Sequence, residues 1–311
     1  MGEARRRGTR EQRIEQALAR QGQPTQPRHR ANAQAGIATG EQFVARTGNG
    51  ALVDPASAVH PIVRVNDEGR HVDVVGTGFF VSQSLLITAK HVIDIALDDD
   101  PNGRAPLWCV QIRPDDGTQT MRAIVRAIWH PTSDIALCVL QPMAHVTTGL
   151  PLPNHIVRLS DRDPAMGERV FTYAYPDSVT ERQGAQVRLD LNPHYYDGTI
   201  VEHFPVRRDS AVLTWPCFQT SIHIHGGASG GPVFDSTGTV FGINTMSLEP
   251  YTDVSYVTKV RDSFDLLVPV TWSAGDAEQM VPLRELAARG YARIDFSAPS
   301  EAESGVSVEG T

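Results

Sequence analysis

Three short motifs carry side chains that together can do acyl-transfer chemistry. Gly76-Thr77-Gly78-Phe79-Phe80-Val81 leads into Leu85-Leu86-Ile87-Thr88-Ala89-Lys90-His91-Val92, which delivers an imidazole to a turn after an apolar run. His130-Pro131-Thr132-Ser133-Asp134-Ile135-Ala136-Leu137 sets one carboxylate at the mouth of an otherwise apolar strand, shielded from water. Gly226-Gly227-Ala228-Ser229-Gly230-Gly231-Pro232-Val233-Phe234 holds a serine in a glycine cluster that opens into a strand. A serine hydroxyl is a weak nucleophile near neutral pH until an adjacent base takes its proton. Imidazole titrates in the range that task needs. A buried carboxylate fixes the imidazole tautomer and steadies the imidazolium. The glycines let two backbone N–H groups converge on one point and hold a developing oxyanion; the expected donors are those of Gly227 and Ser229. His91, Asp134 and Ser229 are therefore the candidate catalytic residues. Asp94 is a second carboxylate near His91, but the Ser-Asp-Ile-Ala-Leu context favours Asp134, and His130 reads as a structural residue at a strand end.

The elements that must position these groups are short β-type runs separated by turns. One set covers 59–65, 72–81, 107–112, 121–128 and 135–140. A second covers 169–174, 186–191, 199–203, 211–215, 233–234, 240–244 and 255–260. Many short strands with turn signals between them indicate a sandwich or a barrel. The 26 glycines and 21 prolines suit such a protein better than a helical one. Pro151 and Pro153 fall in the gap between the sets. Helical segments are expected over 261–267 and 280–289, where Leu283, Leu286 and Ala287 share a face. Residues 1–49 are rich in Arg, Gln, Gly and Ala and read as a tail, with a short helix at 10–20. Residues 297–311 are small and acidic and read as a second tail. No internal repeat is visible.

Composition narrows the function classes. Of the 311 residues, 41% are hydrophobic and 21% charged, as in a globular protein, and a net charge of −8 argues against a general nucleic-acid binder. No apolar run is long enough to span a bilayer. The Arg-rich N-terminus has no apolar core of the kind a secretory signal needs. The three cysteines, Cys109, Cys138 and Cys217, have no metal-ligand spacing and read as buried free thiols, which makes the cytoplasm the default location. His223 and His225 form an H-x-H pair with no third ligand nearby, so neither metal nor cofactor is expected.

The three motifs, in the order His, Asp, Ser, resemble those of the trypsin/chymotrypsin superfamily. The stretch from Phe218-Gln219-Thr220-Ser221 to Gly242-Ile243-Asn244-Thr245 is similar to its bacterial branch, which includes the HtrA (DegP-like) proteases and the glutamyl endopeptidases. The resemblance covers roughly residues 61–260. It implies an all-β fold of two six-stranded antiparallel Greek-key barrels with the active site between them, closed by short C-terminal helices. The first barrel, 50–148, then carries His and Asp; the second, 149–268, carries Ser and the specificity pocket; 269–296 is a partly helical extension. It implies a serine endopeptidase working through an acyl-enzyme on a peptide or protein substrate, with room for a regulatory protein partner. The alternative is a catalytically silent or partner-regulated binding module. By the same resemblance His223 lies at the base of the primary specificity pocket, Asn244 stands where glutamyl endopeptidases carry a histidine, and Thr245, Met246 and Ser247 form an edge that pairs with substrate. Three departures stand out. A disulfide near the catalytic histidine is replaced by Val75 and Val92. Ala228 stands where zymogen-activated members have Asp. The residues after Val260 are too few for a PDZ domain.

Overall fold

The computed structural model describes residues 40–65, 72–98, 107–113, 118–144, 149, 151–152, 154–176, 178–183, 186–247, 254–273 and 275–297. The helix expected at 10–20, and the C-terminal tail beyond Ser297, lie outside the described residues.

A short hairpin, β1 (Ala45–Arg46) and β2 (Leu52–Val53), precedes the first barrel. That barrel consists of β3 (Val59–Val65), β4 (Val72–Ser82), β5 (Leu85–Thr88), β6 (Leu107–Ile112), β7 (Gln119–Trp129) and β8 (Ala136–Leu140), with helix α1 (Lys90–Asp98) between β5 and β6. It closes in the order β3-β4-β5-β8-β7-β6 through antiparallel pairs. Next come β9 (Leu159–Ser160), β10 (Arg169–Ala174), the hairpin β11 (Val179–Gln183) and β12 (Gln186–Asp190), then β13 (His194–Phe204), β14 (Cys217–Thr220), β15 (Pro232–Asp235), β16 (Val240–Ser247) and β17 (Ser255–Lys259). The pairs β10–β13–β14–β17–β16–β15 close on themselves because β15 also pairs with β10. Both barrels follow the same strand order, so the two six-stranded antiparallel barrels inferred from the sequence are present. Each is filled by side chains, as a barrel this narrow must be. The buried apolar side chains include Ile62, Phe80, Leu86, Ile87, Leu137 and Cys138 on strands of the first barrel, and Val170, Ile200, Phe218, Val233, Phe241 and Val257 on strands of the second.

After β17 a 3-10 turn at Val260–Ser263 leads to β18 (Leu267–Val270), β19 (Gln279–Pro282), helix α2 (Leu283–Ala288) and β20 (Ile294–Asp295), which runs parallel to β9 beside the second barrel.

Four expectations need correction. Residues 40–49 are docked rather than tail-like: Phe43 stacks 5.3 Å from Phe171 and 5.1 Å from Phe234, and Ala45 is wholly buried. The strand expected at 211–215 is a loop, because the Asp209 carboxylate takes the N–H groups of Ala211 and Val212; the strand starts after Pro216. The helix expected from 280 begins only at Leu283, because Pro282 keeps the chain before it extended and in register with β18. The helix expected over 261–267 is no more than the 3-10 turn, and Leu267 already belongs to β18.

Candidate active site

His91 lies in the first turn of α1, immediately after β5. The first N–H groups of a helix have no acceptor within it. Here Asp134 supplies one: its Oδ1 accepts the His91 main-chain N–H at 2.9 Å and its Oδ2 sits 2.8 Å from His91 Nδ1. One carboxylate thus caps the helix, where an anion is favoured, and fixes the ring borne by the same residue. The Asp134 side chain is 8% exposed and that of His91 30%, so the carboxylate is screened from water while the ring reaches it. Asp94, the competing carboxylate, is paired with Lys90 one turn away on α1.

The loop before β8 is itself held in place. His130 Nδ1 accepts the N–H groups of Ser133 at 3.0 Å and Thr132 at 3.3 Å. Ser133 Oγ donates to Asp262 Oδ2 at 2.5 Å, which ties the segment carrying Asp134 to the end of the second barrel.

Ser229 sits on the loop between β14 and β15, pressed against the first barrel. Its carbonyl accepts Thr77 N–H at 2.8 Å. A Cβ on Gly230 would meet Thr88 Oγ1, Thr77 O and, at 2.7 Å, the Ala89 nitrogen, so only glycine fits beside the strand end that leads to His91. Gly76 likewise faces Val92: a Cβ there would lie 2.6 Å from its methyl carbon. Ser229 Oγ makes a 3.4 Å hydrogen bond to the Thr245 carbonyl.

Each peptide unit from Gly227 to Gly230 has partners. The Gly227 carbonyl accepts Thr77 Oγ1–H at 2.8 Å, and Ala228 N–H donates to His225 O at 3.1 Å. The Ala228 carbonyl accepts Gly231 N–H at 3.1 Å, and Gly230 N–H donates to Asn244 O at 2.8 Å. Among the described residues, two amides of this stretch have no acceptor: those of Gly227 and Ser229. Gly227 adopts φ +91 and Gly230 φ +82, the left-handed conformations this loop requires.

The other sequence-predicted residues separate. His223 is half-buried, its ring centroid 4.5 Å from that of His225, whose Nδ1 is 3.3 Å from the Tyr196 hydroxyl. Asn244 is turned inward and fully buried, with Nδ2 donating to Thr172 Oγ1 at 2.7 Å. Its side chain supports the barrel interior rather than lining a substrate surface. Thr245 Oγ1 is 2.6 Å from Thr258 Oγ1, which ties this side chain to the neighbouring strand β17. Met246 packs against the cluster of Leu213, Cys217 and Tyr256, and Ser247 ends β16 half-buried. Sequence reasoning missed Thr77, Thr88 and Asp262, which orient the loops; the one hint was the threonine between the glycines of Gly76-Thr77-Gly78.

All three cysteines are buried and free, and burial pushes each thiol up to about 12, so none competes as a nucleophile. Among the described residues no three His, Cys, Asp or Glu side chains gather as metal ligands. A cavity between β1–β2 and the segments 154–156 and 290–293 shares no residue with this site. No described helix is long and apolar enough to cross a membrane.

A family model described as a trypsin-like peptidase domain matches residues 76–243. No curated protein matches the sequence. Solved structures similar to the chain include the active form of the Rv3671c protease from M. tuberculosis, 17% identical over 77% of this chain and 90% of that one, with a TM-score of 0.47. Deg5 is 20% identical over 66% of this chain and 85% of its own, TM-score 0.46. The HtrA-type protease AlgW with a tripeptide is 18% identical over 66% and 57%, TM-score 0.45.

Proposed function

This chain belongs to the trypsin-like peptidase family, and from that premise we propose that it is a serine endopeptidase with His91, Asp134 and Ser229 as its triad. Ser229 Oγ attacks the peptide carbonyl, His91 Nε2 takes its proton and returns it to the leaving amine, and the acyl-enzyme is then hydrolysed by the same relay run through water. Asp134 holds the Nδ1–H tautomer. The Gly227 and Ser229 N–H groups receive the oxyanion. The observation that carries this reading is the pairing of a carboxylate-clamped imidazole with a neighbouring serine loop in which those two amides are unspent.

The test is labelling with a fluorophosphonate probe and mapping of the modified residue. Ser229 is expected to carry the label, and Ser229→Ala to lower turnover by about 10⁶ while leaving the fold intact. Labelling elsewhere, or undiminished turnover in Ser229→Ala, refutes the assignment.

One observation favours a gated form of this activity. The Ser229 hydroxyl makes a 3.4 Å hydrogen bond to the Thr245 carbonyl, which general-base catalysis exchanges for one to His91, and bound peptide or a regulatory protein partner is suited to drive that exchange. Peptide or protein is the substrate class. The three buried free thiols support a reducing, cytoplasmic setting.

A further inference from the structure

Ala228 lies inside the nucleophile loop, fully buried, and has no polar side-chain atom with which to hold it. Glycines flank it at 226, 227, 230 and 231, so the local sequence leaves the loop free to adopt several backbone conformations. Its orientation has to be imposed from elsewhere, and the bonds around it identify where. Thr77, on β4 of the first barrel and wholly buried, touches the loop at both ends of the Gly227–Ser229 segment. Its N–H donates to Ser229 O at 2.8 Å, and its Oγ1–H donates to Gly227 O at 2.8 Å. The same Oγ1 accepts Tyr175 N–H at 3.3 Å, which commits the hydroxyl proton to Gly227. Thr77 is itself held from behind, its carbonyl accepting Thr88 Oγ1–H at 2.8 Å.

We propose that Thr77 is the positioning residue that sets the oxyanion hole of the proposed peptidase, clamping the Gly227 and Ser229 carbonyls so that the two free amides face the substrate. This inference rests on the serine peptidase reading above. The reasoning is geometric. A peptide unit is planar, so fixing a carbonyl fixes the N–H on the other side of the same bond. With Gly227 O drawn to Thr77, the Ala228 N–H turns to His225 O. With Ser229 O drawn to the Thr77 amide, the Gly230 N–H turns to Asn244 O. The Ser229 amide belongs to the peptide between these two anchored ones and the Gly227 amide to the peptide just before the first, and both are left without an acceptor. The Thr77 amide bond survives any substitution other than proline; the hydroxyl bond is what the threonine side chain adds. Removing the hydroxyl leaves Gly227 O and Tyr175 N–H without their partner in a buried place, and the loop relaxes to find others.

The experiment compares fluorophosphonate labelling rates of the full chain with those of Thr77→Val, Thr77→Ala and Thr77→Ser, each alongside a melting curve. Thr77→Val keeps the shape and loses the hydroxyl. It is expected to react about 10²–10³ times more slowly, the loss typical of one oxyanion donor. Thr77→Ser keeps the hydroxyl and is expected to recover to within about tenfold of the parent. Rescue by serine separates positioning from mere packing, because serine removes the methyl that a packing role would need. Should Thr77→Val not fold, the alanine and serine variants carry the same comparison. Labelling of folded Thr77→Val at the parent rate, or Thr77→Ser as slow as Thr77→Val, overturns this inference and leaves the peptidase reading standing. Failure of the parent chain to be labelled at Ser229 overturns both.

Discussion

Replacing Asp134 by asparagine keeps the shape of the side chain and exchanges one acceptor for a donor. The consequence follows from the two bonds to His91. Oδ1 is bound to the main-chain N–H at 2.9 Å, and that donor is fixed by the helix, so asparagine keeps its oxygen there. The amide nitrogen then faces His91 Nδ1, where Oδ2 stood at 2.8 Å. Two donors cannot share that contact, so the ring proton moves to Nε2, the atom that accepts the Ser229 proton in the proposed mechanism. The Asp134 side chain is 8% exposed, which leaves water little room to restore the original tautomer. Inverting the tautomer of a Ser-His-Asp triad costs about 10⁴ in turnover, or roughly 5.5 kcal/mol of barrier. Stability changes far less, because the capping bond survives and only the charge at the start of α1 is lost, about 0.3–1 kcal/mol. The assay is the second-order rate of fluorophosphonate labelling at neutral pH, with a melting curve on the same samples. A rate within tenfold of the parent, in folded protein, would refute the argument that Asp134 acts through the tautomer.

Three further outcomes follow from the geometry. Gly230→Ala forces a Cβ toward Thr88 Oγ1 and Thr77 O at φ +82 and is expected to abolish labelling of Ser229; a normally labelled variant shows that the loop does not need the close approach. Cys109, Cys138 and Cys217 are expected to titrate as three free thiols after denaturation, and a disulfide between any two contradicts the reducing setting proposed. His60 is buried with its pKa lowered to about 3 by burial first, then by Arg122 and His155, so the unfolded chain binds a proton that the folded one excludes. Its stabilising contribution is complete above the unfolded value of 6.5 and is lost as pH falls toward 3, at up to about 1.4 kcal/mol per pH unit. Melting temperature against pH is therefore expected to be flatter in His60→Phe than in the parent across that window, and identical slopes refute the assignment.

The sequence displayed its barrels well where a strand alternates or runs apolar between turn residues: 59–65, 107–112 and 169–174 coincide with β3, β6 and β10. It misled where side chains override local preference. The run at 211–215 looks like a strand, yet the Asp209 carboxylate folds it into a loop. The strand expected at 199–203 starts earlier, at His194, and runs through Gly198, where a Cβ would lie 2.8 Å from Ile222. The shared strand order of the two barrels left no sequence repeat, because a barrel needs apolar alternation and closure rather than particular residues. At the site, residue types and spacing named His91, Asp134 and Ser229 as candidates, and the fold brings His91 and Asp134 into hydrogen-bond contact. Nothing in the spacing could show that Asn244 turns inward, because a buried amide and a pocket amide are the same letter until its partner, Thr172, is known.

The same logic explains how a site split between two barrels can hold a geometry in which a misplacement of about 1 Å costs orders of magnitude in rate. Apolar contact between the barrels supplies adhesion but little orientation, because it is non-directional. Orientation comes from hydrogen bonds that cross the boundary at the site itself. Thr77 binds the nucleophile loop, Ser133 binds Asp262, and Tyr175 Oη donates to Val59 O at 3.0 Å. The three bonds join different segments of the two barrels, so each constrains their relative placement separately. Each involves a buried or half-buried polar atom, for which the alternative to the bond is an unsatisfied group. The interface is thereby held to one register by polar atoms that contribute little to net stability and much to where His91 stands relative to Ser229.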